Sequence, residues 1–472
     1  MIIKTIPYSW IVEEQRRFDC GPFTRGGIEA KKALERASLP KEPLVSLTAD
    51  GLAGMYHVGM DKLRWVDAQT DGIPFLRSSD ILRADLTGQP KIARSQVEGN
   101  PLFRCPEGTT LITRSGTIGR MAFCRSDMVE MAMSQDVLKV VPNTAKIPAG
   151  YLYAFLSSKF GIPMVVSGTF GSIIVHIEAE NVSDLPVPRL AEAREAEIHS
   201  LVVRAGQLRV EASKQLAKAK GLALRSWGVL DDGDCAHREH PDVQVVALSE
   251  VRRSGRFDAF YYGSSARNAD ARLRSIEAEI PIKRLGSRSV TSEVFETTRF
   301  GRVSVSDPDY GVPFLSISDL VRVDPKPEAL ISRKQARTVR AHVDAGWLVL
   351  PRVGQLQGVF GTVCFVPRHL DGVAISDNNI RIVPTDERTG AYLWAALSTD
   401  ICYQQIVRRA CGTSIPYLDA SRVEDIPVPW PEEAHRNEVA ALVIDGMEKR
   451  SDASASESRA IRLAELSVEE AS

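Results

Sequence analysis

The chain has 472 residues, of which 44% are hydrophobic and 25% charged, with 33 glycines and 26 prolines. This composition is typical of a soluble globular protein and excludes a collagen, a disordered tail and a bundle of membrane helices. The length is about three times the ~150 residues of an average domain, which predicts two or three domains. The net charge of −1 gives no general argument for binding nucleic acid.

The N-terminus and the cysteines indicate where the protein resides. The N-terminal apolar run is too short for a signal peptide, and no stretch approaches the ~18 uncharged apolar residues that a membrane helix needs. The seven cysteines include no CxxC pair, so the sequence spells out neither a zinc ribbon nor a redox dithiol. We therefore expect a cytoplasmic protein with no membrane segment and no metal site.

The sequence repeats itself, in one order and at a nearly constant spacing close to 240 residues. The matched pairs are RRFD (16–19) with GRFD (255–258), GIPFLRSSDI (72–81) with GVPFLSISDL (311–320), LITRSG (111–116) with LVLPRVG (348–354), YLYAFLSS (151–158) with YLWAALST (392–399), and NVSDLPVP (181–188) with SRVEDIPVP (421–429). Five ordered matches predict a duplicated domain, with copies at 1–188 and 240–430.

A different kind of segment follows each copy. Residues 189–228 are rich in helix formers, and Ile198, Leu201, Ala205, Leu208 and Ala212 recur at alternating spacings of three and four, the stripe of a coiled coil. This helix should stop near Gly228, before a linker at 229–239. After the second copy, residues 431–472 predict another helix, with Leu442 and Val443 on its apolar face. It weakens across 451–458, where we expect a break or fraying, and ends in an acidic tail.

Within each copy, short apolar runs bounded by Gly, Pro and Asp predict strands, whereas YLYAFLSSKFGIPMVV and AYLWAALSTDICYQQIV each predict one amphipathic helix. The fold class is therefore α+β. Two homologous mixed α+β domains are expected, related by a pseudo-two-fold axis and separated by two long antiparallel coiled-coil helices.

Several catalytic motifs are missing from the sequence. There is no FxGxG-like turn for S-adenosylmethionine, no [DN]PP[YF] loop for a flipped base, no P-loop, and no HExxH or GxSxG. The matched carboxylates Asp80 and Asp319 follow serines where a strand meets a turn, a position typical of local backbone capping. A nuclease site around them stays open as an alternative, but the pattern favours a binding protein over an enzyme.

The repeated motifs and the helical segments between them resemble those of a known family. The order of target domain, long helix, target domain, long helix is similar to that of the specificity (S) subunit of type I restriction-modification systems. The residues that carry the resemblance are GIPFLRSSDI, TLITRSGTIGRMAF, MSQDVLKVVP and VSDLPVP in the first copy, and GVPFLSISDL, LVLPRVG, ISDNNIRIVP and VEDIPVP in the second. The weak stretch at 451–458 and the acidic tail depart from the pattern.

The resemblance implies a non-catalytic subunit that binds double-stranded DNA. Its two target-recognition domains would each read half of an asymmetric bipartite site, and the helices would set the spacer between the halves. The helices would also dock two copies of an adenine methyltransferase, with an endonuclease or translocase as a further partner. No cofactor is expected on this chain, because the methyltransferase would hold S-adenosylmethionine and flip the adenine.

Side chains that reach base edges are typically Arg, Asn, Gln, Ser and Thr on loops between strands. In the first copy the candidates are Arg77, Ser78, Arg114, Ser115, Thr117, Arg120, Thr169 and Ser172. In the second copy they are Ser316, Ser318, Arg352, Gln355, Gln357, Arg408, Arg409, Thr413 and Ser414. Helix pairing is predicted at Ile198, Leu201, Leu208, Leu442 and Val443.

An alternative interpretation stays open besides the nuclease. The duplicated domains could form a protein-binding scaffold of a methylation-based defence complex that leaves the DNA to other subunits, and the near-zero net charge favours this.

Overall fold

The structure, a computed structural model, describes residues 4–13, 21–67, 70–167, 176–230, 243–327, 329–355, 359–412 and 415–472. The chain divides into two compact units, and each mixes helices with sheets. The first unit comprises Met1–Val210 together with Asp452–Ser472, and the second comprises Glu211–Ser451. The division falls within the two long helices, so both ends of the chain contribute to the first unit.

The elements up to the first long helix alternate short strands with short helices. The helices are α1 (Tyr8–Glu13), α2 (Gly21–Thr24), α3 (Gly27–Arg36), α4 (Arg94–Glu98), α5 (Ala149–Leu156), α6 (Gly161–Ser167), α7 (Ala179–Val182) and the long α8 (Glu192–Ser226). The strands are β1 (Lys41–Pro43), β2 (Met55–Tyr56), β3 (Trp65–Val66), β4 (Gly72–Leu76), β5 (Lys91–Ala93), β6 (Thr110–Thr113), β7 (Met121–Phe123), β8 (Ala132–Met133), β9 (Val137–Val140) and β10 (Pro186–Pro188).

The remaining elements follow the same plan. The helices are α9 (Leu248–Ser254), α10 (Ala259–Tyr262), α11 (Ser264–Glu277), α12 (Ile317–Leu320), α13 (Arg333–Thr338), α14 (Glu387–Leu397), α15 (Asp400–Arg409), α16 (Ala420–Glu424) and the long α17 (Glu433–Glu470). The strands are β11 (Ile282–Arg284), β12 (Thr291–Glu296), β13 (Ser304–Val305), β14 (Gly311–Leu315), β15 (Ala329–Ser332), β16 (Leu348–Pro351), β17 (Cys364–Phe365), β18 (Ala374–Ile375), β19 (Asn379–Pro384) and β20 (Pro427–Pro429).

The strand orders of the two units correspond. The first unit contains sheets in the orders β2-β9-β6-β7, β3-β5-β4-β8 and β1-β10, and the second contains β12-β19-β16-β17, β13-β15-β14-β18 and β11-β20. The registers correspond as well, because Phe75 pairs with Ala132 in one parallel pair and Phe314 pairs with Ala374 in the other. The repeat in the sequence therefore extends to topology and register.

The single amphipathic helix predicted near the end of each copy is wrong, because two helices occur there. In the first unit α5 ends at Leu156, and the Ser158 hydroxyl then accepts hydrogen bonds from the backbone N–H groups of Phe160 and Gly161, where α6 begins. In the second unit the Thr399 side chain caps α15 by accepting from the Cys402 N–H. A polar cap inside an apolar run ends one helix and starts the next.

In the first unit, α8 packs against the C-terminal part of α17. The buried positions on α8 include a row of Ile198, Val202, Ala205 and Arg209, at spacings of four, three and four, whereas the predicted Leu201 and Leu208 are half-buried beside this row. The row faces Ala453, Glu457, Ala460, Ala464 and Val468 of α17. The first unit therefore buries mostly small residues between these helices.

A break near 451–458 was predicted, and this prediction is wrong. Helix α17 runs without interruption from Glu433 to Glu470. Ala453 and Glu457 continue its buried row, and Glu457 forms an ion pair with Arg209 while accepting a hydrogen bond from the Tyr153 hydroxyl. Hydrophobic periodicity alone does not predict a buried row that consists of alanine and a paired carboxylate.

In the second unit, α8 and α17 again pair closely. A Cβ atom added at Gly446 would approach the Leu216 side chain to 2.9 Å, so only glycine allows the helices to lie this close. Val443 is fully buried in the same core, and Leu442 packs against it while half-buried. Helix α8 ends at Ser226, and Gly228 follows with a φ of 76°. This agrees with the predicted end of the helix near Gly228.

Within the described ranges, none of the helices combines the length and the hydropathy needed to cross a membrane.

Candidate nucleic-acid interface

Arg114 and Arg352 occupy equivalent positions at the ends of β6 and β16. The Arg114 N–H donates to the Asp136 carbonyl (2.8 Å), and the Arg352 N–H donates to the Asn378 carbonyl (3.0 Å). The backbone carbonyl of Arg114 accepts a hydrogen bond from the Ile177 N–H (3.3 Å), and the carbonyl of Arg352 accepts one from the Leu418 N–H (2.7 Å). The loop after the strand and the segment before the last short helix therefore adjoin in both units.

The Arg114 side chain is held by the first unit itself. Its Nε donates to the Ile177 carbonyl at 2.9 Å, and its guanidinium forms an ion pair with Glu178. The other carboxylate oxygen of Glu178 lies 3.2 Å from His57 Nε2. Burial raises the pKa of Glu178, but the contacts with Arg114 and His57 outweigh it and leave this pKa below its usual value. The guanidinium is thus fixed in direction, and the Arg114 side chain is only 13% exposed.

In the second unit, a carboxylate also lies beside the equivalent arginine, but it comes from a different position. Phe295 pairs with Arg381 as Tyr56 pairs with Lys139, so Glu296 occupies the position of His57. Glu296 lies 3.3 Å from Arg352 Nη1, and both side chains are partly exposed. A carboxylate forms an ion pair with the arginine in each unit, although it comes from a different element.

The loop from Arg114 to Arg120 is a hairpin tip held by its own backbone. Thr113 Oγ1 accepts from the Arg120 N–H (2.9 Å) and donates to the Thr117 carbonyl (2.5 Å). Thr117 is exposed, whereas Ser115 and Arg120 are half-buried. The tip therefore presents hydroxyl groups at fixed positions.

The corresponding loop of the second unit contacts Pro416 and Tyr417. Val353 forms a bridge with Tyr417, and the Gly354 N–H donates to the Pro416 carbonyl at 3.4 Å. Gln355 is exposed beside this contact. Thr169, Ser172, Gln357, Thr413 and Ser414 lie outside the described residues.

Arg77 lies next to an exposed tryptophan that the sequence reasoning missed. Its guanidinium carbon lies 5.8 Å from the centroid of the Trp65 ring, and Trp65 is itself 43% exposed and packs edge-on against Phe75 at 5.5 Å. In the second unit Arg302 lies 4.7 Å from the ring of Phe314, the counterpart of Phe75. The signal that could have found Trp65 is a large aromatic residue on a two-residue strand beside the matched motif.

Ser78 lies in the turn that follows β4, whereas Ser316 caps α12 after β14 and Ser318 lies within that short helix. Asp80 accepts from the Arg77 N–H at 3.0 Å, and Asp319 accepts from the Ser316 N–H at 3.0 Å. Ser318 is exposed, and its hydroxyl lies 2.9 Å from that of Ser316. Both matched carboxylates thus cap local turns, which is how they were first interpreted.

Arg408 and Arg409 are engaged inside the second unit. Arg408 forms an ion pair with Asp270 and stacks 4.1 Å from the Tyr261 ring. Arg409 donates to the carbonyls of Gln405 and Asp425, each at 2.9 Å, and burial lowers its pKa to about 10. These two arginines join α15 to its neighbours, so we rank them below Arg352 as DNA contacts.

No family model and no curated protein matches this chain. Among solved structures, it is similar to the type I restriction-modification S subunit from M. genitalium, with a TM-score of 0.37 and 10% identity over 92% of this chain and 96% of that one. The HsdS subunit from Thermoanaerobacter tengcongensis gives a TM-score of 0.27 and 11% identity over 92% and 96%.

A third structure, described as the basis of complex assembly and conformational transition in the type I R-M system, gives a TM-score of 0.26 and 14% identity over 92% and 98%. All three structures come from type I restriction-modification systems, the family that the motifs resemble. TM-scores of this size do not support an inference about function.

Proposed function

We propose that this chain is a non-catalytic specificity subunit that reads a bipartite, asymmetric DNA site. The observation that carries the proposal is one frame built twice with different polar side chains at matched loop positions. Arg77 of the first unit is matched by Ser316 of the second, and Thr117 by Gln355. Two different half-sites require the same backbone framework with different hydrogen-bonding side chains, because each base edge offers its own pattern of donors and acceptors.

The arginines at the strand ends suit base recognition. A guanidinium held by a carboxylate, as Arg114 is by Glu178 and Arg352 by Glu296, loses little conformational freedom on contacting a base. Arginine is also the commonest specific partner of guanine in the major groove. Of the two, Arg352 is the more exposed and therefore the stronger candidate.

Catalysis is assigned to partner subunits. The matched carboxylates Asp80 and Asp319 are occupied as turn caps, which leaves them poorly suited to hold a catalytic metal. Two copies of an adenine methyltransferase would supply S-adenosylmethionine and the flipped-base pocket, and an endonuclease or translocase would be a further partner. Helices α8 and α17 would set the spacer and carry the docking surfaces.

Methylation mapping tests the proposal. Genomic DNA from cells with and without this chain, in the presence of its methyltransferase, should differ by one two-part adenine motif that is lost without the chain. An unchanged set of motifs would refute DNA specificity. Retained partner assembly without salt-sensitive DNA binding would identify a scaffold.

Single substitutions then locate the readout. Arg352→Ala should weaken recognition of one half-site, and Arg114→Ala or Arg77→Ala the other, each by about 1–3 kcal/mol for a base contact. The measurement is affinity for duplexes mutated in one half at a time. An equal loss on every duplex would indicate a phosphate contact instead.

A further inference from the structure

Two buried cysteines of the first unit are in contact. Cys105 precedes β6 and is 5% exposed, and Cys124 follows β7 and is fully buried. Their sulfur atoms are 3.6 Å apart, and the Met133 sulfur lies 3.9 Å from that of Cys105. Both cysteines are free thiols.

A buried lysine accompanies this pair. Lys139, on β9, is fully buried, and its ammonium nitrogen has no hydrogen-bond partner among the described residues. Its charge acts on both thiols, and the Tyr56 ring centroid lies 5.4 Å from its nitrogen. A buried, unpaired ammonium is costly unless an anion lies near it.

The second unit provides an internal comparison. Arg381 occupies the position of Lys139 in the register and is equally buried. Its guanidinium donates to the carbonyls of Asn379 (2.9 Å), Ala341 (3.1 Å) and Ile375 (3.1 Å). The second unit thus satisfies its buried cation with backbone oxygens, whereas the first unit places two thiols beside a cation that lacks such partners.

We propose that Cys105 and Cys124 are a redox-modifiable dithiol, which a hydroperoxide converts to a disulfide inside the folded first unit. The sulfurs need to close from 3.6 Å to the ~2.05 Å of an S–S bond, a change of about 1.5 Å. Lys139 stabilises the thiolate that reacts. This inference is independent of the proposed DNA binding.

The reaction balances as a two-electron oxidation. The thiolate of Cys105 attacks the hydroperoxide, so an S–O bond forms, the O–O bond breaks, and the alcohol leaves with one proton. Cys124 then attacks the sulfenic acid, so the S–S bond forms and water leaves. The contact with Cys124, together with the charge of Lys139, outweighs burial and lowers the pKa of Cys105, which favours Cys105 as the attacking thiol.

Peptide mapping tests the proposal on the full-length wild-type chain. Folded protein is treated with hydrogen peroxide, alkylated in denaturant and digested with trypsin, which releases 105–114 and 121–125 as separate peptides. We expect these two peptides to be joined, and to separate on reduction, while buried Cys402 stays alkylatable. Recovery of Cys105 and Cys124 as free thiols, or sulfinic acid on Cys105 without a link, would overturn the proposal.

A second measurement isolates the lysine. Lys139→Met keeps the length and apolar stem of the side chain but removes the charge, and Lys139→Arg keeps the charge. Because each unit of thiol pKa changes the thiolate fraction about tenfold, linkage in Lys139→Met should be about tenfold slower or more, and Lys139→Arg should retain the faster rate. Equal rates in all three proteins would overturn the role given to Lys139.

Discussion

Individual buried cations distinguish the two units more sharply than their shared motifs do. Lys139 and Arg381 occupy one position of a duplicated sheet, yet only Arg381 reaches backbone carbonyls. A guanidinium spreads five donors over a plane, whereas an ammonium is a compact point charge. A change of residue type at one buried position therefore alters the chemistry that its neighbours can support.

This difference predicts a pH effect on stability. Burial lowers the pKa of Lys139 from 10.5 to about 8. Between these pH values the unfolded chain binds a proton that the folded chain lacks, so this group makes stability rise with pH. The free-energy cost of burying the charged Lys139 is fully present below pH 8 and decreases towards pH 10.5.

Lys139→Met should therefore be more stable than the wild type at pH 7, by about 3 kcal/mol from a shift of this size, and the advantage should vanish near pH 10.5. Urea denaturation at a series of pH values measures it. Parallel stability curves for the two proteins would contradict the prediction.

At the scale of elements, the long helices pair through small residues and one buried polar group. Arg209, Glu457 and Tyr153 form a buried network within the first unit. The counterpart of Glu457 in the repeat, 241 residues earlier, is Leu216, which is buried in the second unit. The same helix register is thus compatible with an apolar residue at this position.

Removing one partner of the network should be costly. Glu457→Ala leaves Arg209 buried beside a lost carboxylate and should lower the free energy of unfolding by about 3–5 kcal/mol. The double variant Arg209→Met with Glu457→Leu should recover most of this loss, because an apolar pair replaces the ions. Thermal denaturation followed by circular dichroism measures both, and a double variant as unstable as the single one would contradict the explanation.

The polar caps between paired short helices make a smaller contribution. Ser158→Ala removes the acceptor for the first N–H groups of α6, and Thr399→Ala does the same for α15. Each should cost about 1 kcal/mol of stability, within the range known for N-caps. Chemical denaturation measures the cost; Ser115→Ala in the hairpin tip is a control that should change little.

Charged substitutions distinguish the buried row from its flank. Val202→Asp should unfold the helix pair of the first unit because Val202 is 1% exposed. Leu208→Asp should be much milder because Leu208 is half-buried. Equal melting temperatures for these two variants would contradict the observed row. Leu201→Asp, at the flank of this row, should lie between them, and Leu442→Asp should have a similar intermediate effect on the helix pair of the second unit.

At the scale of the whole molecule, the two ends of the chain fold into one unit. Ala460, Ala464 and Val468 of α17 share a core with Leu34, near the start of the chain, and with Ile198 of α8. The Ser38 N–H also donates to the Ala471 carbonyl at 2.8 Å. The first unit therefore requires the C-terminal part of α17.

Truncation at the C-terminus should consequently damage the N-terminal repeat. Deleting 452–472 removes part of the first unit and none of the second. Hydrogen exchange should show lost protection in α3 and α5, with protection retained in α14 and β19. Uniform loss in both units, or loss confined to the second, would contradict this division.

Patterns in the sequence were enough to predict the duplication, the α+β class, most strand positions and the two long helices. Each of these rests on local spacing: strands on short apolar runs, helices on composition, and the repeat on five ordered motifs. Arg114 and Arg352 were also matched correctly, because they belong to a motif that occurs in both copies.

Which side chains those positions bring together follows from the three-dimensional fold. Arg352 pairs with Glu296 and Arg114 with Glu178, and the buried row of α17 includes Glu457, whose partner Arg209 lies more than 240 residues away along the chain. Cys105 and Cys124 carry no local signal either, although they touch in the fold. The physical reason is that ion pairs and buried contacts depend on distance in space, whereas periodicity and spacing record only distance along the chain.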